Sequence, residues 1–190
     1  KQIAYTCRKK EGVAYAISTD SDIYLYNIGT RETKNLCKPA GYVEPAIDAT
    51  KSMANQKINH LAEDCNVGYD TNPKFSPDGS QIAWLSMERC GYESDRNRLC
   101  VYTFATGKKE YVSEAFDSNV DDFVWADTKD VKFYFIGVWH AVENIYAITK
   151  KGELKQITDC CADFGSLQMV GNKKQILAER HDYFHSADLY

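Results

Sequence analysis

Glu88, Glu93, Asp95 and Arg96 crowd a short stretch between two apolar runs, Ile82-Ala83-Trp84-Leu85 and Leu99-Cys100-Val101. Carboxylates grouped in this way can receive a cationic group through charge-assisted hydrogen bonds, which strengthen where water is partly excluded. The plainer reading is a solvated loop, or an acid–arginine pair that pins it, because exposed charges are usually just hydrated. Trp139-His140 sets an indole beside an imidazole, placed either to line a cavity or to pack against a neighbouring element. His181-Asp182-Tyr183-Phe184-His185 has histidines at i and i+4, which on one helix face would share a metal. The segment reads instead as a link between strands, where that spacing gives no common face, so no metal and no cofactor are expected. A serine nucleophile on a strand-to-helix elbow requires Gly-x-Ser-x-Gly, and no such run occurs; Gly165-Ser166 lacks the second glycine. No catalytic residue is therefore assigned, and the six candidates for ligand contact are Glu88, Glu93, Asp95, Arg96, Trp139 and His140.

The elements that position these residues are strands. Aromatic residues make up 13% of the 190 residues, and such side chains favour pleated, half-buried surfaces. Asp22-Ile23-Tyr24-Leu25-Tyr26-Asn27-Ile28-Gly29-Thr30 aligns without a gap on Arg98-Leu99-Cys100-Val101-Tyr102-Thr103-Phe104-Ala105-Thr106. A third copy runs from Asn144 to Ile157, and a fourth begins at Asp188-Leu189-Tyr190. Each copy is a hairpin of two strands. A second hairpin precedes each one, with its clearest copy at Phe75-Ser76-Pro77-Asp78-Gly79-Ser80-Gln81-Ile82-Ala83-Trp84. There proline presets φ, aspartate bonds the backbone and glycine takes positive φ. Weaker copies run Phe123 to Phe135, through Asp127, and Leu167 to Ala178, through Gly171-Asn172.

With strands labelled A to D, the chain reads BCD, ABCD, ABCD, ABC. Four antiparallel strands repeating every 40–50 residues or so mark a β-propeller, here an all-β partial one of roughly three and a half blades. The expected layout is an incomplete blade over 1–37, a long inserted loop over 38–68, blades over 69–118 and 119–161, and an incomplete blade over 162–190. A β-sandwich would also space its strands evenly but does not require matching hairpins. The inserted loop, with weak helical character from Ala46 to His60, is long enough to suggest a functional role. Strand order puts the A–B and C–D turns on one face and the B–C and D–A connections on the other. The long connections, Arg8 to Ser21, Lys38 to Val67 and Met87 to Asn97, all belong to the second kind, which marks that face as the binding face. Tyr24, Tyr26, Trp84, Trp125, Phe133 and Tyr146 are expected in the core between blades.

A formal net charge of −4 with no basic stripe argues against a nucleic-acid partner. No apolar run is long enough to span a bilayer, so no membrane association is expected. The seven cysteines are scattered, include no CxxC pair, and read as mostly free thiols, with Cys7 and Cys100 as small buried hydrophobes.

The run Gly68-Tyr69-Asp70-Thr71-Asn72-Pro73-Lys74-Phe75-Ser76-Pro77-Asp78-Gly79, with Trp84-Leu85-Ser86-Met87 and Gly91-Tyr92-Glu93-Ser94-Asp95-Arg96-Asn97-Arg98-Leu99, resembles the propeller of bacterial dipeptidyl or acylaminoacyl peptidases of the prolyl oligopeptidase family, built from TolB-like repeats. The resemblance covers most of the chain, with Lys38 to Val67 the least typical part. It implies a propeller over an α/β-hydrolase domain of the same parent chain, gating access for short peptides and helping to hold them. Under it, the acidic residues of the 87–97 loop would bind a free ammonium. It favours a periplasmic or secreted location and leaves a cytoplasmic one open. A TolB-like interaction scaffold and a metal-dependent propeller lyase are the competing functions. Blade faces and strand edges left open at either end would favour self-association.

Overall fold

In the computed structural model, the described residues are 1–60, 65–126, 128–171 and 175–190. They form four separate antiparallel sheets. The first holds β1 (Gln2–Cys7), β2 (Asp22–Asn27) and β3 (Thr33–Asn35); the second holds β4 (Asp70–Phe75), β5 (Gln81–Ser86), β6 (Arg98–Thr103) and β7 (Lys108–Tyr111). The third holds β8 (Val120–Trp125), β9 (Val131–Trp139), β10 (Val142–Thr149) and β11 (Leu154–Gln156); the fourth holds β12 (Asp163–Met169), β13 (Ile176–Asp182) and β14 (His185–Leu189). Sheet neighbours follow chain order throughout, which is the up-and-down order of propeller blades. Asp127 and Asn172, in two of the weaker hairpin copies, lie outside the described residues.

The strands stack because their side chains alternate between two buried faces. In β5, Ile82 and Trp84 pack towards the first sheet with Ile23, Leu25 and Leu36, whereas Ala83 and Leu85 pack towards the third. β6 splits likewise, Cys100 and Tyr102 one way, Leu99 and Val101 the other. In the third sheet, Phe133, Phe135, Tyr146 and Ile148 face the second, and Ile136 and Ile145 face Phe164 and Leu167 of the fourth. Trp84, Phe133 and Tyr146 are buried as expected, while Tyr26 and Trp125 are only half-buried. Cys100 is a buried hydrophobe, but Cys7 is half-exposed; Cys37 and Cys90 are the other fully buried thiols.

Gly79 takes φ +72 in the turn between β4 and β5, where Asp78 accepts from the Ser80 amide at 3.0 Å. Gly137 in β9 lies against Phe116, so a Cβ there would sit 2.5 Å from the ring. Bulges interrupt β4, β8 and β12, with Asn72 and Ser166 at positive φ. Sequence patterning missed these. It also missed α1 (Val13–Ile17), a helix of one turn and a half inside the connection from β1 to β2. The inserted loop carries two 3₁₀ turns, Met53–Asn55 and Lys57–His60. No helix among the described residues is long and apolar enough to cross a membrane.

Candidate functional site

The connections from β1 to β2, β3 to β4 and β5 to β6 meet and pack as one body. Cys90, fully buried, joins Ile58 and Val67 of the inserted loop, with Ile47 and Cys65 against them. Its Sγ lies 3.2 Å from Ser18 Oγ, and the Gly91 amide donates to Thr19 Oγ1 at 2.7 Å. Lys38, at the root of the inserted loop, donates to Asp20 Oδ1 at 2.8 Å, to Asp22 Oδ1 at 2.7 Å and to the Asn66 carbonyl. Lys10 bridges Asp20 Oδ2 at 2.7 Å and Glu44. Burial works against the Lys38 charge, yet Asp20 and Asp22 outweigh it and hold the ammonium firmly protonated. Breaking such a buried pair from one side costs about 3–5 kcal/mol, so the network fixes the loops to one another.

Asp70, at the start of β4, sits below this network. Its Oδ1 accepts from Trp84 Nε1 at 2.6 Å and Asn66 Nδ2 at 3.0 Å, while Oδ2 is buried without a partner. Burial pushes its carboxyl up to about 6. Asp22, Cys37 and Asp70 place ligand-type atoms within 4.8 Å of one another. As donors to a metal they are poorly disposed. Asp22 already takes Lys38 on one oxygen and Asn35 Nδ2, at 2.8 Å, on the other, and burial pushes the Cys37 thiol far up.

The six sequence candidates separate. Asp95 accepts from the Arg89 amide at 3.0 Å and from its guanidinium, Nε at 2.9 Å and Nη2, and Arg89 holds its carboxyl below the usual range. Arg96 donates to the Phe116 carbonyl at 2.8 Å and pairs with Glu114 at 3.0 Å. Asp95 folds the 87–97 loop on itself, and Arg96 fastens it to the connection between β7 and β8. Glu88 and Glu93 are exposed, with no ion pair among the described residues. Trp139 and His140 form the tip of the β9–β10 hairpin. His140 and Ala141 take φ 52 and 61, as a two-residue turn requires, and the two rings stack at 5.0 Å. Trp139 is 45% exposed and walls a small cleft with Phe116 and Tyr146. His181 and His185 flank the Tyr183-Phe184 turn, and their rings approach different carboxylates, Asp163 at 3.7 Å and Asp182 at 2.7 Å.

Sequence reasoning missed an acidic pair on the same face. Asp121, on the β8 bulge, reaches solvent, yet the packing around it and then the Glu143 charge push its carboxyl up, to about 6. The Glu143 amide donates to Asp163 Oδ1 at 2.8 Å, which carries the acidic row to the fourth sheet. The available signal was Asp121-Asp122 opening an A strand, where a bulge turns one of two successive side chains outward. The face thus presents carboxylates at Glu88, Glu93 and Asp121, and apolar side chains at Val13, Tyr15, Val43, Trp139, Tyr183 and Phe184.

Sheets in this order, stacked face to face and carrying long connections on one side, define a β-propeller segment. In sequence, the whole chain is 41% identical to part of dipeptidyl-peptidase 5 of Porphyromonas gingivalis and 38% identical to part of dipeptidyl-peptidase 5 of Porphyromonas endodontalis. It spans 24% and 23% of those two relatives, so it corresponds to one segment of a longer protein. In structure, it resembles the β-propeller domain of the trilobed protease from Pyrococcus furiosus, with a TM-score of 0.62 at 15% identity over 99% of this chain and 48% of that one. It also resembles TolB from Acinetobacter baumannii, with a TM-score of 0.60 at 15% identity over 100% of this chain and 37% of that one. These two likenesses concern the fold alone. No protein-family model matches the chain.

Proposed function

We propose that this chain is the non-catalytic propeller part of a dipeptidyl-peptidase-like serine peptidase. It gates access and positions short peptides over a separate α/β-hydrolase domain of the parent chain. The observation that carries this reading is the single packed body of three long connections on one face, held by Lys38 and Cys90 and edged with the exposed carboxylates of Glu88 and Glu93. A face pre-organised in this way loses little entropy when a ligand settles on it. Glu88 and Glu93, on a loop folded by Asp95 and Arg96, are placed to receive a free N-terminal ammonium, with Asp121 and Glu143 as a second acidic group. Trp139 and His140 supply an apolar wall beside them.

In the full-length enzyme, Glu93→Ala should raise KM for substrates with a free N-terminus and leave blocked substrates unchanged. An equal effect on both would remove Glu93 from ammonium recognition.

A further inference from the structure

The opposite face, formed by the A–B and C–D turns, holds a cleft that the peptidase reading does not use. It lies between the second and third sheets, has a volume of about 310 Å³, and is walled by the β4–β5 turn, Trp125, Lys132 and Lys150. A neighbouring cavity of about 390 Å³ shares both lysines. Lys132, the second residue of β9, is half-buried, its Nζ 5.9 Å from the Trp125 ring and 5.7 Å from the Phe133 ring. Among the described residues no carboxylate forms an ion pair with it. Burial pulls its pKa down, with only the charge of Glu110 working back. An ammonium that has lost part of its water without gaining a counter-ion is an unfilled place for an anion.

The other walls narrow the class of anion. Asp78 is the one carboxylate of the cleft lining, and its oxygens are already taken by Ser76 Oγ at 2.6 Å, the Ser80 amide at 3.0 Å and Ser80 Oγ at 2.8 Å. These bonds push its carboxyl down to about 2 and keep it ionised. Within its own lining the cleft thus sets two ammonium groups against one saturated carboxylate, while Glu110 and Glu114 line the neighbouring cavity on the far side of the lysines. Lys150 stands exposed at the rim, its amide fixed on the Asp130 carbonyl at 2.8 Å. Trp125 is pinned by its Nε1 donating to the Lys74 carbonyl at 2.9 Å, which leaves the indole face as an apolar wall.

We propose that this cleft binds a small monocarboxylate with a planar or apolar body, its carboxylate towards Lys132 and Lys150 and its body against Trp125. The test uses the full-length parent protein, trace acetylation of its lysines read by peptide mass spectrometry, and benzoate as the probe. Benzoate should slow labelling of Lys132 and Lys150 saturably, about threefold when its concentration is twice the dissociation constant. Lys57 and Lys129, exposed and outside the cleft, should be unaffected. Acetate should protect less than benzoate, and Trp125→Leu should erase that difference. No protection up to about 50 mM benzoate, an affinity worth less than about 2 kcal/mol, would overturn the proposal. Equal slowing of all four lysines would overturn it as well, and equal protection by acetate and benzoate would overturn the assigned role of Trp125.

Discussion

The seam between the second and third sheets and the seam between the first and second are both buried, but they are held by different means. The former is mainly an apolar stack, with Phe116, Phe123, Phe133, Phe135 and Tyr146 in contact with Leu85, Leu99 and Val101. Its polar links, Lys74 to Asp122 at 2.8 Å and Trp125 Nε1 to the Lys74 carbonyl at 2.9 Å, lie at its partly solvated margin. The latter has an apolar half around Trp84 and Ile23 and, at the loop end, a polar half built on Lys38, Asp20, Asp22, Asn66 and Asp70. Apolar contact is non-directional and the Lys74–Asp122 pair is partly solvated, so the first seam is held chiefly by buried area. Charges and hydrogen bonds are directional and costly to leave unmade, so the second seam fixes the loops that rise from it.

Substitutions in the two seams should separate these roles. Lys38→Met leaves Asp20 and Asp22 buried without their cation and should cost about 3–5 kcal/mol in denaturant unfolding of the full-length protein. It should also expose the 8–21, 38–60 and 87–97 connections to limited proteolysis. Phe135→Ala should cost a similar amount, about 3–5 kcal/mol, with no selective cleavage of those connections. If both variants gave the same cleavage pattern, the division of labour between the seams would be wrong.

Asp70→Asn sharpens the comparison through pH. The carboxyl has a folded-state value of about 6 against an ordinary 3.8, so the native state binds more protons than the unfolded chain between those values. Its contribution to stability is full below about 4 and is lost as pH rises through 6, a change of roughly 2–3 kcal/mol. Asparagine keeps the acceptor used by Trp84 and Asn66 and carries no charge. The variant should therefore be more stable than wild type at pH 8, and nearly equal to it at pH 4, in paired denaturation curves. A smaller effect is expected at the loop fastening: Arg96→Ala should cost about 1 kcal/mol or less, because the guanidinium and its partner Glu114 are both partly solvated.

The strands were legible in the sequence because each carries its own pattern. Ile82-Ala83-Trp84-Leu85 alternates between two buried faces, and Ser76-Pro77-Asp78-Gly79 encodes its turn locally. The convergence of three long connections on one face also followed, from connection lengths and strand order. What held those connections did not. Lys38 meets Asp20, Asp22 and Asn66 across distances in sequence that no local pattern records. Val13 to Ile17 is too short for a helical period to show, and its N-cap, Gly12, offers no side-chain cap. Charge alone groups Asp95 and Arg96 with Glu88 and Glu93. Their partners Arg89, Phe116 and Glu114 instead make them struts of the loop. Asp121 turns outward at a bulge that propensity does not mark.

Hydrogen exchange on the full-length protein without ligand tests most directly the claim that the loop face is a preformed, rigid body. The account predicts that amides hydrogen-bonded in the connections, Gly91 and Asn66 among them, exchange on the timescale of the central strands β5 and β6. It further predicts that Lys38→Met speeds the connections without speeding the strands. Fast exchange of all three connections in the wild-type protein, with β5 and β6 protected, would contradict it.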